Sequence, residues 1–194
     1  MKEHELATWI VGQARVGRRI SVIGTSGSGK TTMARQLAHL LHVPHVELDA
    51  LHWEPNWTEA PDSVMRARVE NALSGDGWAV DGNYSAVRDT VWGRADTIVW
   101  LDYSLSVMLS RLTRRTLRRL ITREELWHGN RERWRTTFFS KDSLYVWVLS
   151  TYKQRRAEYP ALLDRPEYRH LLKVRLCSPR AADKWLLQLK TAGD

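Results

Sequence analysis

Residues Gly24-Thr25-Ser26-Gly27-Ser28-Gly29-Lys30-Thr31 fit the spacing G-x-x-x-x-G-K-[ST]. Each fixed position has a physical role. The glycines let the backbone bend tightly and turn several N–H groups onto phosphate oxygens. Lys30 reaches the β- and γ-phosphates, and the Thr31 hydroxyl can ligate Mg²⁺. The flanks suit this chemistry. Arg19-Ile20-Ser21-Val22-Ile23 is a short β-branched run that suits a buried strand. From Thr32 onward, apolar residues at 33, 37, 40 and 41 mark one helix face. A helix starting at the loop aims its positive end at a bound anion.

Phosphoryl transfer needs further parts: a metal, an acceptor held in line, and positive charge at the transition state. Asp81, closing the run Trp78-Ala79-Val80, is the first choice for the metal-side carboxylate, and Asp49 the second. Asp49 has another reading, as the group that accepts a proton from an attacking hydroxyl. His52 could assist it or simply be a hydrogen-bonded loop residue. Trp53 and Trp57 either stack on a flat substrate or pack their own loop.

Positive charge is abundant. The net charge is +8, with 23 Arg against 7 Lys. Arg111, Arg114, Arg115, Arg118, Arg119, Arg123, Arg131, Arg133 and Arg135 share their stretch with only Glu124, Glu125 and Glu132. That density suits an anionic partner, either the phosphates of a small molecule or a nucleic acid backbone. A solvated helix face is the plainer reading, and genomic base composition could also favour Arg. Helical spacing puts Arg111, Arg115 and Arg118 on one face. The segment fits a lid whose arginines close over a nucleotide, with His128-Gly129-Asn130-Arg131 as the turn at its tip.

These groups need a scaffold. Strands are expected at 19–23, 43–48, 78–80, 97–101 and 171–176, and helices at 4–16, 32–41, 62–74 (capped by Asp62 or Ser63), 104–121, 144–158 and 179–190. Residues 51–61 read as a Trp- and Pro-rich loop. The alternation implies an α/β fold whose parallel sheet is covered on both faces, with ligands beyond the carboxyl ends of its strands. Asp49, Asp81, Asp102 and the glycine-rich loop are all expected at such ends. A chain of 194 residues suggests one domain, with a core over 18–117 and 144–190 and a lid-like insertion at 118–143. The lone Cys177 excludes an intrachain disulfide. The absence of a long apolar run and of a leader pattern leads us to expect a cytoplasmic protein with no membrane partner. No residue pattern specifies an oligomeric state.

In order, the glycine-rich loop, Leu-Asp-x-Leu-His-Trp, Val-Asp-Gly-Asn-Tyr, Leu-Asp and the Arg-rich helix resemble the adenylate-kinase and shikimate-kinase group of P-loop phosphotransferases. Val46–Trp57, Trp78–Ser85 and Glu125–Trp134 more closely resemble bacterial adenylate-kinase-like ATPases labelled as DNA topology modulation proteins. The resemblance implies a three-layer α/β/α P-loop fold with a five-stranded parallel sheet and a helical Arg-rich lid, using ATP and Mg²⁺. By the same resemblance, Gly24 to Thr32 hold the phosphates, and Asp81 and Thr31 hold the hydrated metal. Arg111 stacks on adenine, Arg115 contacts phosphate, and Ser178, Pro179 and Arg180 lie beside adenine. Asp49 contacts acceptor or metal. The catalytic set is then Lys30, Asp49, Asp81 and Arg115; the acceptor set is Asp49, His52, Trp53, Asn83, Tyr84 and Arg88. The kinase sequence Asp-Gly-Phe-Pro-Arg reads Asp81-Gly82-Asn83-Tyr84-Ser85 here, which removes a substrate-contacting Arg; Arg88 is the candidate replacement. Two functions are thus expected in competition. One is a kinase for a small acceptor: a nucleotide, nucleoside or hydroxylated metabolite. The other is an ATP-dependent nucleic-acid-binding regulator.

Overall fold

A computed structural model of the chain describes residues 16–132 and 144–193. The helix expected at 4–16 and residues 133–143 of the lid-like insertion lie outside the described residues, save Val16. The strands are β1 (Arg19–Gly24), β2 (His45–Glu47), β3 (Trp53–Glu54), β4 (Thr58–Glu59), β5 (Trp78–Asp81), β6 (Thr97–Leu101) and β7 (Leu172–Leu176). The helices are α1 (Lys30–Leu41), α2 (Leu48–His52), α3 (Asp62–Ala72), α4 (Arg88–Arg94), α5 (Leu105–Thr122), α6 (Leu144–Leu163) and α7 (Pro179–Gly193).

Five strands form one parallel sheet in the order β2-β5-β1-β6-β7. Alternate residues of each strand point to opposite faces, and both faces are dry. Ile23, Val80, Trp78, Ile98 and Trp100 pack beneath α3, α4 and α6. Ile20, Val22, Ala79, Val99 and Val174 pack beneath α1, α5 and α7 on the other face. Each large apolar side chain so buried contributes about 1.5–3 kcal/mol. The fold is therefore the expected three-layer α/β/α arrangement. From β1 the chain runs to one side through β2 and β5 and to the other through β6 and β7, so its carboxyl end is the switch point of the sheet.

Local details differ from the sequence expectations. Asp49 lies in the first turn of α2 rather than at a strand end. Residues 53–59 are a two-stranded antiparallel hairpin, not a plain loop, with Trp53 opposite Glu59. Pro61, not Asp62 or Ser63, precedes α3, which has no side-chain cap. α4 was not foreseen, and α6 runs on to Leu163 through Pro160. Among the described residues no helix is long and apolar enough to cross a membrane.

Candidate active site

The glycine-rich loop joins the end of β1 to α1, and its glycines are required for two different reasons. Gly29 takes φ 93°, the left-handed conformation from which α1 starts, and a Cβ there would press on Arg111 Nη1 at 3.2 Å. At Gly27, φ is 83° and a Cβ would run into the main chain of α5 at Met108. The loop thus forms a cradle that α5 approaches closely, and Arg111 donates to Ser28 O at 3.2 Å. Lys30 curls back, its Nζ 3.4 Å from Thr25 O. Burial pulls its pKa down to about 8, opposed by the carboxylates of Asp49 and Asp81 and reinforced by Arg155 and Arg115.

Asp81 is buried where β5 ends. Its Oδ2 accepts from Thr31 Oγ1 at 2.6 Å, and its Oδ1 lies 2.8 Å from His45 Nε2. A hydroxyl beside a carboxylate, next to a phosphate cradle, is the hard-oxygen donor set that a partly hydrated Mg²⁺ takes. Three-member clusters of His, Cys, Asp and Glu are absent among the described residues. Most of the metal's shell would therefore come from water and phosphate oxygens, which is how Mg²⁺ sits on nucleotides.

These groups face one open cleft of about 1810 Å³. On its lining, Tyr84 donates its hydroxyl to Asp49 Oδ1 at 2.6 Å. Burial, then the Asp49 charge, keeps that phenol protonated well above its ordinary range. His52, Trp53 and Trp57 line the same end. The rings meet edge to face: His52–Trp53 at 4.8 Å and Trp53–Trp57 at 5.5 Å between centroids. Trp127 continues the series 6.4 Å from Trp57. Tyr103, Arg111 and Pro179 also line the cleft, with the Arg111 guanidinium 5.4 Å from the Tyr103 ring centroid. Arg115 lines it too, and burial, with Arg119 adding to it, lowers its pKa.

No protein-family model matches the chain. Its sequence is similar to the shikimate kinase of Novosphingobium aromaticivorans, 30% identical over 129 residues, which cover 55% of this chain and 65% of that protein. The chain thus spans about 65% of the length of the curated relative it matches. Its structure is similar to that of the shikimate kinase from Bacteroides thetaiotaomicron, with TM-score 0.52 and 15% identity over 89% of this chain and 96% of that one. The chain has the P-loop kinase fold. A gluconokinase from Sinorhizobium meliloti 1021 superposes with TM-score 0.49 and 22% identity, covering 91% of this chain and 95% of that one.

Within the P-loop kinase fold, one cleft brings together Lys30, Thr31, Asp49, Asp81, Arg111, Arg115 and Pro179. Other expected site residues point elsewhere. Asp102, at the end of β6, does not line the cleft; it is buried between Arg156 and Arg175. Arg88 lies over Trp92, 5.4 Å from the ring centroid, beside a separate small cavity. Ser178 Oγ accepts from Ala181 N at 3.2 Å as the cap of α7, and Arg180 is exposed outside the cleft. Asn83 lines the cleft but is already engaged: its Nδ2 donates to Gly24 O, and its Oδ1 accepts from Gly24 N at 3.3 Å. It therefore pins the entry of the phosphate loop. Sequence reasoning missed Tyr103, Arg155 and Trp127, which also line the cleft. Trp127 carried a signal, since it lies in the Glu125–Trp134 stretch that bears the closer resemblance, and Arg155 carried one as a member of an Arg pair on an expected helix.

Proposed function

We propose that this chain is a P-loop phosphotransferase that moves the γ-phosphoryl group of Mg-ATP to a hydroxyl of a small metabolite. One observation carries the reading. Lys30, Asp49 and the Thr31–Asp81 pair line one cleft, and both carboxylates act on the Lys30 ammonium against the burial that lowers its pKa. The phosphate grip, a proton acceptor and the metal-side carboxylate therefore share one site.

In the proposed step the acceptor oxygen attacks the γ-phosphorus, a new O–P bond forms, and the bond to the β,γ-bridging oxygen breaks to release ADP. Asp49 takes the hydroxyl proton. Lys30 and Arg115 face the charge spread over the transferring oxygens. Thr31 and, through water, Asp81 would hold Mg²⁺, which neutralises the β- and γ-phosphates when bound. Arg111, Tyr103 and Pro179 form the seat for the base. His52, Trp53, Tyr84 and Trp57 form the seat for the acceptor. Shikimate, the acceptor named for the curated relative, and gluconate share a hydroxylated ring or chain, and this chemistry fits a cleft end that has a carboxylate beside apolar ring edges.

The test is coupled ADP release with shikimate, gluconate, nucleosides and nucleoside monophosphates as acceptors. At least one should raise the rate well above bare ATP hydrolysis, and Lys30→Ala should abolish turnover while the protein stays folded. If no acceptor stimulates release, or if Lys30→Ala keeps full activity, the reading fails.

A further inference from the structure

Asn130 is a polar side chain buried to 4% exposure in a segment that looks from sequence like a surface turn. Its amide is fully occupied, and its partners lie on two distant pieces of chain. Oδ1 accepts from the Trp57 main-chain N–H at 2.9 Å. Nδ2 donates to Glu54 O and to Trp127 O, each at 2.9 Å. The first two partners belong to the β3–β4 hairpin, the third to the segment that leaves α5.

Both pieces are held in unusual backbone conformations. Asn56 and Trp57 have φ of 62° and 57°, and His128 has φ of 57°. A bulky residue such as Trp rarely adopts the left-handed region and stays there only when its surroundings fix it. The bond from Trp57 N–H to Asn130 is such a restraint. Further contacts close the seam. Trp57 Nε1 donates to Arg131 O at 3.2 Å, and Trp127 Nε1 donates to Glu47 Oε2 at 3.2 Å. His128 Nε2 lies 3.3 Å from Ala50 O. The segment is itself closed by the Glu125–Arg131 bridge and by Leu126 N donating to Asn130 O at 2.7 Å. Residues 125–131 are therefore docked as a wall of the cleft rather than standing off as a lid tip.

We propose that Asn130 is a positioning residue that locks the hairpin and the segment following α5 into one rigid wall, and so fixes Trp53, Trp57 and Trp127 against the acceptor. The proposal rests on the phosphotransferase reading for its acceptor, but the lock can be measured without turnover. The two variants are Asn130→Ala, which deletes the bonds, and Asn130→Asp, which keeps the shape and turns two donated bonds into carboxylate–carbonyl repulsion.

Hydrogen exchange should rise about tenfold or more in both 53–60 and 125–131 in each variant, with β1 and β5 unchanged. In coupled assays using shikimate, gluconate and adenosine as hydroxyl probes, KM for any probe that is turned over should rise about tenfold while KM for ATP stays put. Unchanged exchange in 53–60, or loosening of 125–131 alone, overturns the lock. Loosening of both with an unaltered probe KM overturns its role at the acceptor. If the parent turns over no probe, the phosphotransferase reading is what fails, and the exchange data still decide the lock.

Discussion

Asp102 offers a sharp test because sequence places it at the site and structure places it in a support. Its carboxylate is 2% exposed and lies between two guanidinium groups. Arg156 Nε is 2.9 Å from Oδ1, and Arg175 Nε donates to Oδ2 at 3.0 Å. Arg175 is 14% exposed and also lies 4.6 Å from the Trp100 ring centroid, whereas Arg156 is 44% exposed. Asp102→Ala therefore strands one buried cation and releases another to water. Removing one partner of a buried ion pair costs about 3–5 kcal/mol, and the half-exposed Arg156 argues for the lower end, about 3 kcal/mol. For a domain of this size each kcal/mol moves Tm by about 2–4 °C, so the drop should be about 6–12 °C.

Differential scanning calorimetry gives the Tm, and titration calorimetry the affinity for Mg-ATP, which should stay within about twofold of the parent when both are measured well below the lowered Tm. Pairing Asp102→Leu with Arg175→Met should recover most of the loss, since an apolar replacement of a buried pair is near neutral. A Tm unchanged by Asp102→Ala together with a large loss of Mg-ATP affinity would refute the assignment and return Asp102 to the site.

Two further outcomes follow from the cleft. Asp81→Asn weakens the carboxylate beside Thr31 and should raise the Mg²⁺ concentration needed for half-maximal turnover by about 10–100-fold, read from Mg²⁺ titrations at saturating ATP. In the protein without nucleotide or divalent ion, Lys30 titrates near 8 when folded and near 10.5 when unfolded. Below pH 8 both states carry the proton, and the burial penalty on the charged form is present in full. Between about 8 and 10.5 the unfolded chain binds more protons, so this group makes stability rise with pH by up to about 3 kcal/mol. Urea melts of the parent and of Lys30→Met at pH 7.5 and 10 isolate the contribution: the Met variant should lack the rise, and a rise of equal size in both would remove Lys30 as its source.

Much of the scaffold was legible because its signals are local. Ile20, Val22 and Ile23 announce a strand, the glycine-rich loop announces a phosphate cradle, and Asp81 is marked by the apolar run it closes. What was not legible depends on contacts between distant segments. Asn83 looks like a substrate group until β5 and β1 pair and carry its amide to Gly24, 59 residues away. Asp102 looks equivalent to Asp81, since both close strands. The difference is made by Arg175 on β7, which reaches Asp102 from 73 residues away. The hairpin at 53–59 was hidden because Trp57 takes a left-handed angle that its residue type does not advertise. Arg88 was expected to reach the acceptor, but α4, which it begins, places it over Trp92.

The Arg-rich stretch shows why charge density alone is a poor guide to a partner. A duplex backbone is gripped by cations free to replace its condensed counterions. Here Arg118 pairs with Glu124 at 3.1 Å, Arg119 with Glu132 at 3.1 Å, and Arg131 with Glu125 at 3.3 Å. Each pair is worth little as stability where it is exposed. Each also cancels charge that a phosphate backbone would otherwise meet. Arg111 and Arg115 face inward with the phosphate loop, and the bond from Arg111 to Ser28 O ties α5 to that loop. Arg114, Arg118 and Arg119 line the same cleft as Arg111 and Arg115, with Glu124 and Glu132 among them, so the stretch turns much of its charge toward the phosphate loop. That distribution favours a compact polyphosphate over an extended one, and it favours the phosphotransferase over the nucleic-acid regulator among the two functions the sequence leaves in competition.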